Sequence, residues 1–204
     1  MNNDESYTVA RRQDASELNL RIFETVRPYI KGRTLEMTSG DGLISTLFIE
    51  NGLPIHLNHS DRTCCEKLYE QFRNYPLLRN VHRIDFRHPN FKEVYSRFAG
   101  AFDTLVSLNV AEHGSIDQIV IENAKILLRT RGHLIILALS DTVLYNKIDL
   151  EWQDFKNNNR QSIKEHLNSD FDILKARYIN LYETSGENGE EPIILSVIVV
   201  GRKQ

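Results

Sequence analysis

The feature that most restricts the fold of this 204-residue chain is a regular alternation of short apolar runs with stretches of helical period. Leu18, Ile22, Phe23, Val26 and Ile30 recur at helical spacing behind a cap at Ser16, and Gly32 closes that helix. TLEM (34–37) reads as a short buried strand. Leu43, Ile44, Leu47 and Phe48 then share a helix face that ends at Gly52 and Pro54. LPIHLNH (53–59) is a second strand, and the helix from Ser60 turns Cys64, Cys65, Leu68, Tyr69 and Phe72 inward. VHRIDF (81–86) is a third strand, followed by PNFKEVYSRF (89–98), a short helix with proline near its first turn. DTLVSLN (103–109) is the fourth. A capping box, Ser115 with Gln118, opens a helix that buries Ile119, Val120, Ala124, Leu127 and Leu128, and HLIILAL (133–139) is the fifth strand.

Five strands separated by helices imply a parallel sheet with right-handed crossovers and helices on both faces. After Ser140 the period is lost, so 141–159 reads as a loop or lid, with a helix near 162–167. FDILKARYINLYE (171–183) and PIILSVIVVGR (192–202) flank the acidic TSGENGEE and read as an antiparallel hairpin, adding two strands on one side. The expected organisation is a flexible polar tail, 1–15, and one doubly wound α/β domain, 16–204.

Composition narrows the function. Apolar residues, 41% of the chain, suffice for a sizeable core, and a net charge of −3 gives no general attraction to nucleic acid or anionic membrane. No apolar stretch approaches the roughly 20 residues of a membrane span. The opening MNNDESYTVARRQD is polar and mixed in charge, unlike a signal or transit peptide. Cys64 and Cys65 are adjacent and offer neither a disulfide framework nor a zinc spacing. A cytoplasmic protein without a resident metal is expected.

Open α/β sheets bind ligands beyond the carboxyl ends of their strands, where strand order reverses. The stretches to inspect are therefore 36–42, 57–60, 85–86, 108–113 and 139–149. Gly40 and Gly42 would let backbone pass close to a ligand, and the following helix would aim its amides there. About twenty residues on, where a dinucleotide site carries an acid, stands Asn58; Asp85 offers an acceptor to an amino group such as that of adenine. Each also has a plainer reading: a tight strand-to-helix turn for the glycines, a turn former for Asn58, a cap for Asp85.

Here the chain resembles the class I S-adenosylmethionine-dependent methyltransferases, and within them the small bacterial branch (methyltransferase-domain types 11 and 12) found beside glycan-assembly enzymes. NLRIFETVRPYIKGRTLEMTSGDG is similar to that branch's lead-in helix and first strand. AFDTLVSLNVAEH resembles its fourth strand, and NAKILLRTRGHLIIL its following helix and fifth strand. LYNKID and FDILKARYINLYE have counterparts late in the pattern, so the likeness runs from about Asn19 to Lys203.

The resemblance implies a Rossmann-like, seven-stranded, mostly parallel sheet with an antiparallel C-terminal strand, and S-adenosyl-L-methionine as cofactor. It sets Glu36 and the turn of Thr38, Ser39, Gly40 and Gly42 beside the methionine part. It sets Asn58 and His59 at the ribose, Asp85 and Phe86 at the adenine, and Leu108 and Asn109 on the cofactor's other flank. Departures from the family pattern are equally informative. Thr38 replaces the first glycine of the turn, Asn58 replaces the ribose acid, and Thr130-Arg131 stand where Pro-Gly is usual. The branch's Gly-His-Tyr-Arg-Arg-Tyr segment has become WQDFKN (152–157). A β-branched residue at positive φ is strained, so Thr38 is expected to obstruct the turn.

Two functions follow. One is a methyltransferase acting on a small-molecule or glycan-related acceptor, with Glu112, His113 and Asp149 as candidate bases and Tyr145 and Trp152 as an aromatic wall. The other is a non-catalytic relative that binds or regulates a protein partner. A nicotinamide enzyme fits poorly, because Asp41 would oppose a pyrophosphate.

Overall fold

The computed structural model describes residues 17–108, 118–144, 167, 170–183 and 193–204. In chain order they form α1 (17–26), β1 (Thr34–Glu36), α2 (Leu43–Glu50), β2 (Ile55–Asn58), α3 (Arg62–Phe72), β3 (Leu78–His82), α4 (Phe91–Val94), β4 (Phe102–Ser107) and α5 (Gln118–Leu127). Three long strands follow: β5 (Leu128–Leu144), β6 (Phe171–Glu183) and β7 (Ile193–Lys203). Together the seven strands make one sheet in the order β3-β2-β1-β4-β5-β7-β6. β1 to β5 pair in parallel, and β7 runs antiparallel between β5 and β6. This is the Rossmann-like, mostly parallel arrangement that the alternating pattern implied.

β1, β2 and β4 mix apolar residues with buried polar ones such as Thr34, Glu36, His56, Asn58 and Thr104. Every residue in them is buried, because helices cover both faces of the sheet. One face packs Leu35, Met37, Phe102, Leu105 and Ile136 against α4 and α5. The other packs Ile55, Leu57, Val106 and Ile135 against Phe23, Phe48 and Phe72 of α1, α2 and α3. At the edge, β3 is only partly covered.

Several boundaries differ from the sequence reading. The third strand is 78–82, not 81–86, since residues 83–85 leave the sheet to form a turn. β5 does not stop at Ser140. Beyond Leu139 its register shifts and Val143 and Leu144 still pair with Ile194 and Ile193, so 141–144 is strand; 145–159 lies outside the described residues. Leu43, Tyr69 and Ile119, expected inside, are 56%, 53% and 56% exposed. Each sits on the shoulder of its apolar face, and the cores close on Phe48, Leu68 with Phe72, and Val120 with Ala124. Cys64 and Cys65 form no disulfide and are half-buried rather than buried.

Arg131 has φ +64°, the one positive φ off glycine among the described residues. It lies in a wide bulge where β5 places residues 129–132 opposite Asp103 of β4, between the pairs Phe102–Leu128 and Thr104–His133. Left-handed backbone costs a side-chain-bearing residue about 1–2 kcal/mol. Arg131→Gly recovers that, less the entropy an added glycine contributes to the unfolded chain. A net gain of about 0.5–1 kcal/mol is expected, read as a melting temperature about 1–4 °C higher. An unchanged or lower value would show that the arginine's own contacts outweigh the strain.

Candidate cofactor site

At the carboxyl ends of the parallel strands, between β1 and β4 where strand order reverses, lies a cleft of about 100 Å³. Its polar lining is Thr38, Asn58, Ser60, Asp85, Arg87 and Ser107, with Met37, Ile84, Phe86 and Val120 as apolar walls. The lining is drawn from the turns after β1, β2 and β3, the end of β4 and the first turn of α5. A larger open groove of about 710 Å³, between α3 and β3 at the sheet edge, is away from that switch point.

The glycine turn is built from its own backbone. Gly42 donates its N–H to the Ser39 carbonyl (2.8 Å), and Asp41 Oδ1 accepts from Leu43 N–H (3.2 Å) as α2 begins. Gly40 and Gly42 carry the positive φ angles, +50° and +82°. Thr38 does not, so the strain expected of it is absent; its side chain simply forms part of the cleft wall. Ser39 ties the turn to β2: its N–H donates to the Asn58 carbonyl (3.0 Å) and its Oγ accepts from Asn58 N–H (3.1 Å).

Asn58 is the centre of a backbone clip. Its Nδ2 donates to the carbonyls of Met37 (2.7 Å) and Ile84 (3.1 Å), and its Oδ1 accepts from Ile84 N–H (2.7 Å). At 1% exposure the amide joins the ends of β1 and β2 to the turn after β3. With both donors engaged and one lone pair of Oδ1 taken, a ribose hydroxyl could meet this amide only by donating to the oxygen's second lone pair. His59 donates its N–H to the His82 carbonyl (3.2 Å), and its Nδ1 accepts from Asp61 N–H (2.9 Å).

Asp85 Oδ1 accepts from Arg87 N–H (2.9 Å), and Asp85 N–H donates to the Tyr95 hydroxyl (3.0 Å). Phe86 packs on Phe91 with ring centres 5.6 Å apart, and Asn123 of α5 holds its carbonyl (2.8 Å). Leu108 is 2% exposed within the core on the α1–α3 side and does not line the cleft. Asn109, Glu112, His113, Tyr145, Asp149 and Trp152 lie outside the described residues. Ser60, Arg87, Ser107 and Val120 join the lining without having been singled out. Ser60 fell within an inspected strand end, whereas Ser107, a strand residue of ordinary polarity, carried no signal.

Beneath Asn58, on the same face of the sheet, His56 and His82 stack with Nδ1 of the first 3.0 Å from Nε2 of the second. Arg33 donates Nε–H to His56 Nε2 (3.2 Å). Arginine cannot accept, so His56 carries its proton on Nδ1 and donates to His82. Protonating either ring sets two donors against each other. Burial, with Arg33 nearby, pushes both histidines down to about 4.

Glu36, at the end of β1, goes the other way. It is 1% exposed and accepts from the Ser45 hydroxyl, and burial raises it to about 7 despite that bond. The signs oppose. The histidines bind protons more weakly folded than unfolded, so their contribution is complete above pH 6.5 and is lost as pH falls toward 4. Glu36 binds its proton more tightly when folded, so its contribution is lost as pH rises from about 4.5 to 7. Urea midpoints over pH 4–8 should therefore climb with pH more steeply in Glu36→Gln than in the parent. Equal slopes would mean that Glu36 is not held protonated.

The same sheet occurs in solved proteins of low sequence identity. A S-adenosylmethionine-dependent methyltransferase from Methanosarcina mazei aligns at TM-score 0.60 and 13% identity, over 88% of this chain and 96% of its own. Another such enzyme from Archaeoglobus fulgidus aligns at 0.58 and 13%, over 97% and 99%. A protein studied for the conversion of a disulfide bond into a thioacetal group during echinomycin biosynthesis aligns at 0.63 and 12%, over 89% and 80%. No family model and no curated protein sequence matches this chain. The fold is that of the class I S-adenosylmethionine-dependent methyltransferases. Among the described residues no helix is long and apolar enough to cross a membrane, and no three acidic, histidine or cysteine side chains gather as metal ligands.

Proposed function

We propose that this protein is a S-adenosyl-L-methionine-dependent methyltransferase acting on a small-molecule or glycan-related acceptor. The observation that carries this reading is the cleft at the β1–β4 switch point, where apolar side chains and the carboxylate of Asp85 share one lining. Met37, Ile84, Phe86 and Val120 suit the faces of an adenine ring, and Asp85 suits its amino group. Such residues fit the nucleoside end of the cofactor. The turn at 38–42 fits its amino-acid end, since S-adenosylmethionine places no phosphate against Asp41.

When bound, the cofactor supplies an electrophilic methyl group on a sulfonium. The protein's task is alignment, because in-line displacement draws most of its acceleration from proximity and orientation. Glu112, His113 and Asp149 are the bases proposed for an acceptor that loses its proton late, with Tyr145 and Trp152 against the acceptor.

Two features favour a second reading, a methyltransferase fold retained for binding a protein partner. The cleft is well under the ~300–1,000 Å³ common for small-molecule sites, and the Asn58 amide is taken up by backbone. Calorimetric titration with S-adenosylmethionine and S-adenosylhomocysteine separates the two, after mass spectrometry has checked for carried-through cofactor. Micromolar binding, weakened at least about tenfold by Asp85→Ala, is expected from loss of a charge-assisted hydrogen bond. No binding by a folded, ligand-free sample would exclude the transferase and leave the partner protein.

A further inference from the structure

The cofactor cleft occupies one rim of the sheet, and the opposite rim, where the parallel strands begin, collects positive charge. Lys31 and Arg33 precede β1, Arg129 and Arg131 lie in the bulge of β5, and Arg202 and Lys203 end β7. Arg202 is the cross-strand partner of His133, two residues beyond Arg131. Two of these cations are committed elsewhere. Arg33 donates to His56 and lies over the Phe102 ring at 5.0 Å, and Lys203 donates to the carbonyls of Lys125 (3.0 Å) and Leu128 (2.7 Å). Two more are answered by carboxylates, Arg129 by Asp103 and Arg202 by Asp172 (2.8 Å). Lys31 and Arg131 remain. Lys31 Nζ donates to the Arg131 carbonyl (3.0 Å), and among the described residues no carboxylate pairs with either side chain. Burial, and then the guanidiniums of Arg129, Arg202 and Arg131, hold the Lys31 ammonium below its ordinary range.

Arg131 also holds its place at a cost. It is exposed, and its φ of +64° is one that glycine adopts without strain and a residue with a Cβ does not. Such an outlier points to function when the strained side chain does something the relaxed residue could not. Glycine would relax this backbone, and what glycine lacks is the guanidinium.

We propose that this rim is a phosphate site, in which the guanidinium of Arg131 and the ammonium of Lys31 hold a phosphomonoester between Arg129 and Arg202. Charge selects the ligand class. A phosphomonoester carries about −1.5 to −2 near neutral pH on three acceptor oxygens, which matches two unanswered cations. A carboxylate or a phosphodiester brings a single charge. Arginine presents its N–H groups as a planar fork that fits two phosphate oxygens, and lysine adds a point charge. The cations gather around one bulge, and the chain as a whole carries −3, so an extended nucleic acid finds no track along it. The site stands apart from the cofactor reading, because the cleft lies at the other ends of the same strands.

The experiment is titration calorimetry of the full chain at low ionic strength with two probes that share the phosphomonoester, glucose 6-phosphate and a phosphoserine peptide. At least one should bind, and the tighter of the two tells whether the phosphate belongs to a small metabolite or to a protein chain. Arg131→Gly and Lys31→Met should each weaken that binding about tenfold or more, as loss of a charge-assisted hydrogen bond does. Arg131→Gly is also expected to melt no lower than the parent, so its loss of binding cannot be ascribed to unfolding. Arg62→Gln removes the same charge from α3, where Arg62 pairs with Glu66, and should leave the affinity unchanged. Glucose 6-sulfate, a monoanion of the same shape, should bind about tenfold more weakly than glucose 6-phosphate if the sugar phosphate is the ligand. Absence of binding by both probes overturns the inference, as does an equal loss in Arg62→Gln, which would reduce the effect to net charge. A 5′-hydroxyl oligoribonucleotide that binds more tightly than either probe would make the rim a polyanion surface and overturns it too.

Discussion

Asn58→Asp, which restores the acid that the family pattern carries at the end of the second strand, is expected to destabilise the protein by about 3–5 kcal/mol at pH 7. The substitution is nearly isosteric, so packing is not the cause. The amide nitrogen of Asn58 donates to two buried carbonyls, those of Met37 and Ile84. A carboxylate in its place donates nothing and turns an oxygen toward acceptors already short of a partner. Its charge lies at a position only 1% exposed. The melting temperature should fall by about 6–20 °C, at roughly 2–4 °C per kcal/mol for a domain of this size.

The deficit should also depend on pH. A buried aspartate with a raised proton affinity loses stability as pH rises above its unfolded value near 4, so parent and variant should converge on acidification. Denaturant midpoints at pH 4 and pH 7 are the check. A variant as stable as its parent at pH 7 would mean that Asn58 does not clip the backbone, and would return it to the pool of ribose ligands.

Gly42→Ala is the second large effect, and Gly52→Ala is its control. Both glycines have positive φ, +82° and +75°, so both alanines meet the same backbone cost of about 1 kcal/mol. Only at Gly42 is the added methyl blocked. A Cβ there would lie 2.5 Å from Phe72 Cε2 and 2.8 Å from Cζ, whereas at Gly52 nothing comes within 4 Å. Phe72 is 2% exposed at the end of α3 and cannot move aside without opening the core beneath α2. Overpacking of this kind adds about 1–3 kcal/mol, for a total of about 2–4 kcal/mol. Thermal denaturation of the two variants side by side separates strain from collision. Equal losses at the two sites would show that α2 and α3 yield to the methyl. Because Gly42 also starts α2 below the proposed cofactor turn, its alanine should weaken S-adenosylhomocysteine binding as well, and Gly52→Ala should not.

Much of this architecture was legible beforehand because a buried parallel strand has little freedom of composition. Thr34–Glu36, Ile55–Asn58 and Phe102–Ser107 are covered on both faces, so each carries core residues such as Leu35, Ile55 with Leu57, and Leu105 with Val106, and the helices between announce themselves by period. Edges were harder. β3 is half-exposed, so its hydrophobic signal is weak, and the more apolar Ile84 and Phe86 drew the reading past its end. The second half of β5 looked like loop because DTVL lacks the apolar density of a sheet covered on both faces; its partner there is β7 alone, not β4.

Site positions were legible for a different reason. A parallel sheet delivers every strand's carboxyl end to one rim, so knowing the strands was enough to place Thr38, Asn58, Asp85 and Phe86 around a single cleft. What those residues do there was not legible. Whether an asparagine at that rim faces a ligand or its own backbone depends on the carbonyls of Met37 and Ile84, twenty-one and twenty-six residues away in the chain. Whether Thr38 is strained depends on which residue of the turn takes positive φ, and the chain assigns that to Gly40 and Gly42. Sequence by itself determined the order of elements, the parallel sheet and the rim, because these follow from periodicity and burial summed over many residues. Tertiary structure alone decided the use of each polar group at that rim, because hydrogen bonds and proton affinities are settled within a few ångströms by partners that no local pattern reveals.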